Sequence, residues 1–225
     1  MKLKDRLLNR LKYLLKYNPR KSLNKLDDVI EKHLDINNGV FIEVGANNGI
    51  SQSNTYYLEV VKGWRGLLIE PIERLYKECV WNRPRAMVVQ RALVGFDFKG
   101  TNVTIHDSSL MSVIQHGDSL TPAQERHLER GRKLQNLSKS PFSQVPAQPL
   151  SSLLDGIDGM EKVDLFSLDV EGFELQVLKG IDFSRHRPSY ILVETSLFSD
   201  VRALLEENNY TFLEKCTHHD YLFKG

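Results

Sequence analysis

Apolar positions along this chain follow two rhythms. Leu3, Leu7, Leu8, Leu11, Leu14 and Leu15 recur at helical spacing. Lys2, Lys4, Arg6, Arg10, Lys12 and Lys16 occupy the rest of that wheel, and Asn18-Pro19 closes it. A second helix is predicted over Ser22 to Leu34, with Leu23, Leu26, Val29, Ile30 and Leu34 inward. Short apolar runs then alternate with helical patterns. Strands are predicted at Val40–Val44, Gly66–Glu70, Met87–Val94, Val163–Leu168 and Ser189–Glu194. Helices are predicted over Gln52–Lys62 (Tyr56, Leu58 and Val61 inward), Ile72–Trp81, from Glu174 to a stop at Gly180, and Leu197–Asn208. A hairpin, Val103–His106 with Met111–Ile114, extends the third strand, and Tyr210–Lys215 with Tyr221–Lys224 forms a closing antiparallel pair. The alternation predicts an α/β fold.

The pattern fails over residues 115–149, which hold Gly117, Pro122, Gly131, Pro141, Pro146 and Pro149. Ala123 to Leu137 reads as a short polar helix bearing Arg126, Arg130, Arg132 and Lys133. A connection this long inside a compact domain suggests a lid, insertion or substrate-facing segment, with a solvated face as the alternative.

Candidate chemistry gathers where strands end. Val40–Val44 carries Glu43 and runs into Gly45-Ala46-Asn47-Asn48-Gly49, and Glu70 follows Gly49 by 21 residues. Nucleotide-binding βαβ units place a ribose-binding acid at that spacing. The turn lacks the third glycine of the dinucleotide fingerprint, and Glu43 would repel a pyrophosphate. An adenosine ligand carrying sulfonium or ammonium charge suits it better, which favours S-adenosylmethionine over NAD or ATP. Val163–Leu168 delivers Asp169, Glu171 and Glu174 into a second turn, and the next strand ends on Glu194. Glu174 opens a helix, where capping is an equally good role.

Composition narrows the picture. At 225 residues the chain suits one domain, residues 22–225, behind the basic helix at 1–21. No run approaches a membrane span, and no secretory signal is evident, so a cytoplasmic protein is expected. Cys79 and Cys216 are far apart and read as reduced structural thiols. The formal net charge of +1 hides an uneven distribution, because residues 1–21 hold eight Lys or Arg against one acid. That helix packs on the domain, dimerises through residues 1–20, or lies peripherally on an anionic membrane. Nucleic acid is not expected, since no aromatic-basic interleaving follows it.

FIEVGANNG, LLIEP and LFSLDVEGFELQVLKG together resemble the FkbM-type methyltransferases, a branch of the class I SAM-dependent enzymes. Ser51–Thr55, Gly63–Gly66 and Asp220–Phe223 also look like that family, and the resemblance covers roughly residues 38–225. Asn48 departs from it, standing where many relatives have Asp. The resemblance implies a doubly wound, mostly parallel seven-stranded Rossmann-like sheet with its last strand antiparallel. It implies methyl transfer from S-adenosylmethionine to a hydroxyl of a sugar, glycan, lipid-linked or natural-product acceptor. Glu43, Gly45, Ala46, Asn47 and Gly49 would cradle the methionine end, Glu70 the ribose, and Arg91-Ala92 the adenine. Ser53 and Asn54 would add contacts or cap the first helix. Asp169 and Glu171 are candidate general bases, or hold Mg2+ with Glu194 as a further ligand. His106 is a competing base. His218-His219-Asp220 reads as a turn before the last strand. A noncatalytic module of the same fold, acting at a membrane surface or on a protein partner, is the rival reading; a dehydrogenase is disfavoured by the turn.

Overall fold

The computed structural model describes residues 18–107, 112–115, 120–134 and 141–225. The basic helix expected before Asn18 lies outside the described residues, as do Met111 and parts of the 115–149 segment. The large sheet has seven strands in the spatial order β3 (Met87–Val89), β2 (Arg65–Ile69), β1 (Val40–Val44), β8 (Leu165–Leu168), β9 (Tyr190–Glu194), β11 (Asp220–Lys224) and β10 (Thr211–Lys215). Neighbours are parallel from β3 to β9, and β11 runs antiparallel to both β9 and β10. This is the expected doubly wound topology, with its last strand reversed.

Both faces of the central strands are buried, so their side chains divide by period two between two cores. Val40, Ile42 and Val44 pack with Ile69, Phe166 and Ile191. Phe41, Leu68 and Leu165 face the other way, onto Leu26 and Ile30 of α1 (Leu26–His33) and Leu58 of α2 (Tyr56–Lys62). The remaining helices are α3 (Glu73–Asn82), α4 (Pro122–Leu134), α5 (Leu150–Leu154), α6 (Glu174–Leu178) and α7 (Phe198–Glu207).

Four departures from expectation have physical causes. α2 starts four residues later than Gln52, because Ser53, Asn54 and Thr55 all bond Glu43 instead of joining a helical ladder. Its buried apolar residues are Tyr57 and Leu58, while Val61 is exposed. Leu23 belongs to a 3-10 turn, Leu23–Lys25, and is exposed rather than packed inward. The expected single strand Met87–Val94 is split. Its first half pairs with β2, and β4 (Ala92–Leu93) joins a second sheet, ordered β4, β7 (Phe142–Gln148), β5 (Asn102–His106) and β6 (Val113–Gln115). β7 was invisible as a pattern: it contains Pro146, and Val145 is its one fully buried side chain.

Candidate active site

A cavity of about 420 Å³ lies where β1, β2, β8 and β9 end, and residues of both sheets line it. Its floor is the turn after β1. Gly45 has φ +81°, and a Cβ there would stand 1.7 Å from the carbonyl oxygen of Asp169. Only glycine permits both that backbone and that approach of the two turns. The N–H groups of Gly45 and Ala46 donate to the Ile69 carbonyl at 3.0 and 3.3 Å. Asn47 N donates to Glu70 Oε2 at 2.8 Å, and Ile72 N donates to Glu70 Oε1 at 2.9 Å. Burial pushes the Glu70 carboxyl up to about 8, against the pull of those two bonds.

Glu43 is buried, borders the cavity and organises the loop before α2. It accepts bonds from Ser53 Oγ (2.8 Å), Thr55 Oγ1 (2.5 Å) and Asn54 N (2.8 Å). Asn54 Nδ2 donates to Ser167 Oγ at 3.1 Å, and the β1–β8 register sets Ser167 beside Glu43. Ser53, Asn54, Arg91 and Ala92 also line the cavity, and Arg91 Nε is buried without a hydrogen-bond partner.

Gly49, expected in the cradle, stands behind it, as does its neighbour Asn48. Asn48 Oδ1 accepts from Ile50 N and Ser51 N at 3.0 and 2.8 Å, closing the turn from outside. Gly49, at φ +80°, backs onto Arg83 and Cys79 and does not border the cavity. Arg83 follows the last residue of α3. It is fully buried and donates to Glu59 (2.7 Å), the Gly49 carbonyl (2.9 Å), Ser53 Oγ (3.2 Å) and Thr55 Oγ1 (3.0 Å). One guanidinium thus ties the glycine turn to the Glu43 loop.

Asp169, Glu171 and Glu194 all reach the cavity. Asp169 is raised well above the usual carboxylate range, first by burial and then by Glu194, Glu171, Glu174 and Asp220. Glu171 is pushed up to about 7 by burial, with Glu194 and Glu174 adding to it. It also sits at φ +54°, an uncommon backbone for a non-glycine residue. His127 of α4 stands 3.1 Å from Glu171 Oε2, a pairing with no signal in sequence because 44 positions separate the two.

Two expectations need correction. His106 faces away from the cavity: alternation along β5 turns Ile105 toward it, leaving His106 against Gln115 Oε1 (2.9 Å) and Phe142. As a metal set, Asp169, Glu171 and Glu194 receive no support, since among the described residues no group of three or more His, Cys, Asp or Glu is arranged to hold an ion. Cys79 and Cys216 are free thiols; burial raises both, and Cys79 Sγ donates to the Asn47 carbonyl at 3.0 Å.

The strand order, the bare glycine turn and the strand-end acids define a Rossmann-like methyltransferase fold. The model of the methyltransferase FkbM domain matches residues 43–212, and the chain belongs to that family of SAM-dependent methyltransferases. Among solved structures, it is similar to a TehB-like SAM-dependent methyltransferase from Corynebacterium glutamicum (10% identity, 98% and 96% of the two chains, TM-score 0.46). It is also similar to a SAM-dependent methyltransferase from Aquifex aeolicus (10% identity, 94% and 94%, TM-score 0.44) and to precorrin-6y C5,15-methyltransferase from Geobacter metallireducens (11% identity, 90% and 90%, TM-score 0.46). Likenesses this distant add nothing to the topology itself. No curated protein matches the chain. Among the described residues, no helix is long and apolar enough to cross a membrane.

Proposed function

We propose that the protein transfers a methyl group from S-adenosylmethionine to a hydroxyl oxygen of its acceptor, using strand-end carboxylates as the proton-accepting groups. The observation that carries this reading is the set of acids around Asp169. Burial, and after it their mutual repulsion, raises these carboxyls above the usual carboxylate range, Glu171 to about 7, and a base so raised accepts a proton more readily. The cavity suits the cofactor. Its volume lies within the roughly 300–1,000 Å³ of small-molecule sites, Gly45 lets the turn after β1 close against the Asp169 turn to form a floor, and the Arg91 Nε–H lacks a partner. In this reading Glu43, Gly45, Ala46 and Asn47 form the methionine end, with Gly49 and Arg83 bracing them from behind. Glu70 takes the ribose hydroxyls and Arg91-Ala92 the adenine edge.

When bound, the cofactor supplies a methyl group on cationic sulfur, already activated for transfer. The chain's own residues must hold the acceptor oxygen in line with it and remove the hydroxyl proton. The hydroxyl proton would pass to Glu171 or Asp169 as the acceptor oxygen takes the methyl group that the bound cofactor would supply. Glu171 is the better base, because its pKa near 7 leaves a useful deprotonated fraction. The positive charge of the cofactor also lowers both acids, which favours their ionised forms.

The same reading treats residues 22–225 as one catalytic unit. The contact of His127 in α4 with Glu171 supports a substrate-facing role for that part of the 115–149 segment. Residues 1–20 remain the candidate for packing, dimerisation or membrane contact. Calorimetric titration with S-adenosylmethionine, S-adenosylhomocysteine and NAD tests the core of the proposal. Binding of the first two and not of NAD is expected; failure of both adenosyl ligands to bind would sink it.

A further inference from the structure

α4 is pinned at its start by reciprocal bonds. Gln124 N donates to Thr121 Oγ1 at 3.2 Å, and Thr121 N donates to Gln124 Oε1 at 3.0 Å. The pair satisfies two amides that the first turn of a helix leaves unbonded, and Pro122 between them has no donor to satisfy. Gln124 also reaches β6, where its Nε2 donates to the Ile114 carbonyl at 2.9 Å. Leu128 is buried beneath the helix. His127 precedes Leu128 and stands three positions past Gln124, on the same face as that tether. The helix therefore carries His127 to a set place.

That place is beside Glu171. His127 Nε2 lies 3.1 Å from Glu171 Oε2, sealed from solvent, and makes no aligned hydrogen bond. Contacts of this kind commonly tighten only when a substrate is in place. Burial, and after it Arg130 on the same helix, lowers the imidazole below its ordinary range, so near neutral pH it is uncharged and carries one N–H. The other groups facing Glu171 are Glu194 and Glu174, with Asp169 raised by it in turn. Ionised carboxylates offer no donor, so His127 is the side chain suited to hold this one. The backbone of Glu171 needs such a hold. Glu171 and Gly172 are consecutive left-handed residues (φ +54° and +95°), and nothing stands within 4 Å of where a Cβ on Gly172 would lie. A non-glycine residue keeps that conformation only where its surroundings fix it.

We propose that His127 is the positioning residue of the Glu171 base: its Nε2–H holds Oε2 of the carboxylate and leaves Oε1 for the hydroxyl proton of the acceptor. The inference rests on the methyl-transfer reading. Glu171 lines the cavity and His127 does not, so the histidine acts through the carboxylate. Fixing one oxygen sets the direction of the other, which a freely turning carboxylate lacks. The same bond favours the ionised form, the one that accepts a proton. α4 thus completes the base from outside the large sheet.

The test uses the full chain loaded with S-adenosylhomocysteine, with glutamate carboxyl carbons and histidine nitrogens isotopically labelled for NMR. His127→Leu is compared with His127→Gln. Both fall on a half-buried helical position, and Gln restores an N–H donor. The Glu171 carboxyl, assigned by its loss in Glu171→Gln, is expected to titrate at about 7 in the wild type. His127→Leu should raise that midpoint by about half a unit or more, because a donor to the charged form is lost. His127→Gln should return it to within about 0.3 unit of wild type. Above the titration, at about pH 8, the histidine spectra should place the His127 proton on Nε2. A midpoint unmoved in both variants, an equal shift in both, or a proton on Nδ1 would overturn the proposal. Failure of the wild-type protein to load with S-adenosylhomocysteine would instead defeat the methyl-transfer reading on which it stands.

Discussion

The large sheet meets the cavity with strand ends, and the small sheet meets it with a face. β1, β8 and β9 bring Glu43, Ser167, Asp169, Glu171 and Glu194, whereas β4, β5 and β6 bring Ala92, Leu93, Ile105, Val113 and Ile114. The ends of parallel strands open into turns whose backbone and side-chain groups point outward, which is where charge and hydrogen-bonding chemistry accumulate. A sheet face presents alternate side chains only, and a half-buried face is apolar. On the proposed reading one half of the cavity carries the reactive groups, and the other supplies shape and dryness. Substitutions in the two halves should differ in kind as well as in size.

The largest effect is expected where the two turns of the large sheet touch. Gly45→Val places a side chain in a left-handed backbone and against the Asp169 carbonyl, so binding of S-adenosylhomocysteine should fall by about 100-fold or more. Calorimetry reads this directly, and near-normal affinity would mean the turn is not the cofactor floor. Next, Asp169→Asn should lower turnover by about 100-fold while cofactor affinity stays within a few-fold. Glu70→Ala should show the opposite split, with affinity weakened by about tenfold. An exchanged pattern would mean that the two acids have swapped roles.

A smaller change concerns pH. A base must be ionised to act, and burial raises Glu171 to about 7, so kcat/KM should climb as pH rises through that region and fall on the acid side. Glu171→Gln should abolish the climb and leave a low, flatter rate. An unaltered profile in that variant would transfer the role to Asp169. The smallest effect belongs to the apolar wall. Ile114→Ala should weaken cofactor binding by about two- to fivefold through lost contact, with kcat little changed. A collapse of kcat there would break the division between a reactive half and a shaping half.

Much of the reactive half was readable from local sequence. Glu43, Gly45, Asn47, Glu70, Asp169 and Glu171 sit within a few residues of apolar strands, and a strand followed by a glycine turn puts its next residues at the sheet rim whatever else the chain does. The shaping half was less readable. β7 has no alternating pattern, because its neighbours rather than its own residues hold it, and β4 looked like a continuation of β3. His106 was assigned to the cleft without knowing which face of β5 looks inward. Gly49 was assigned to the ligand side of a turn whose two sides sequence does not distinguish.

By itself, then, the sequence determined the α/β alternation, the strand-end acids and the bare turn, since each depends on neighbours within about ten residues. The tertiary structure decided which groups face one another. It made Arg83 the brace of the turn and set His127 against Glu171. These pairings depend on how separate elements pack across the sheet, and nothing in the spacing of a single chain encodes that distance.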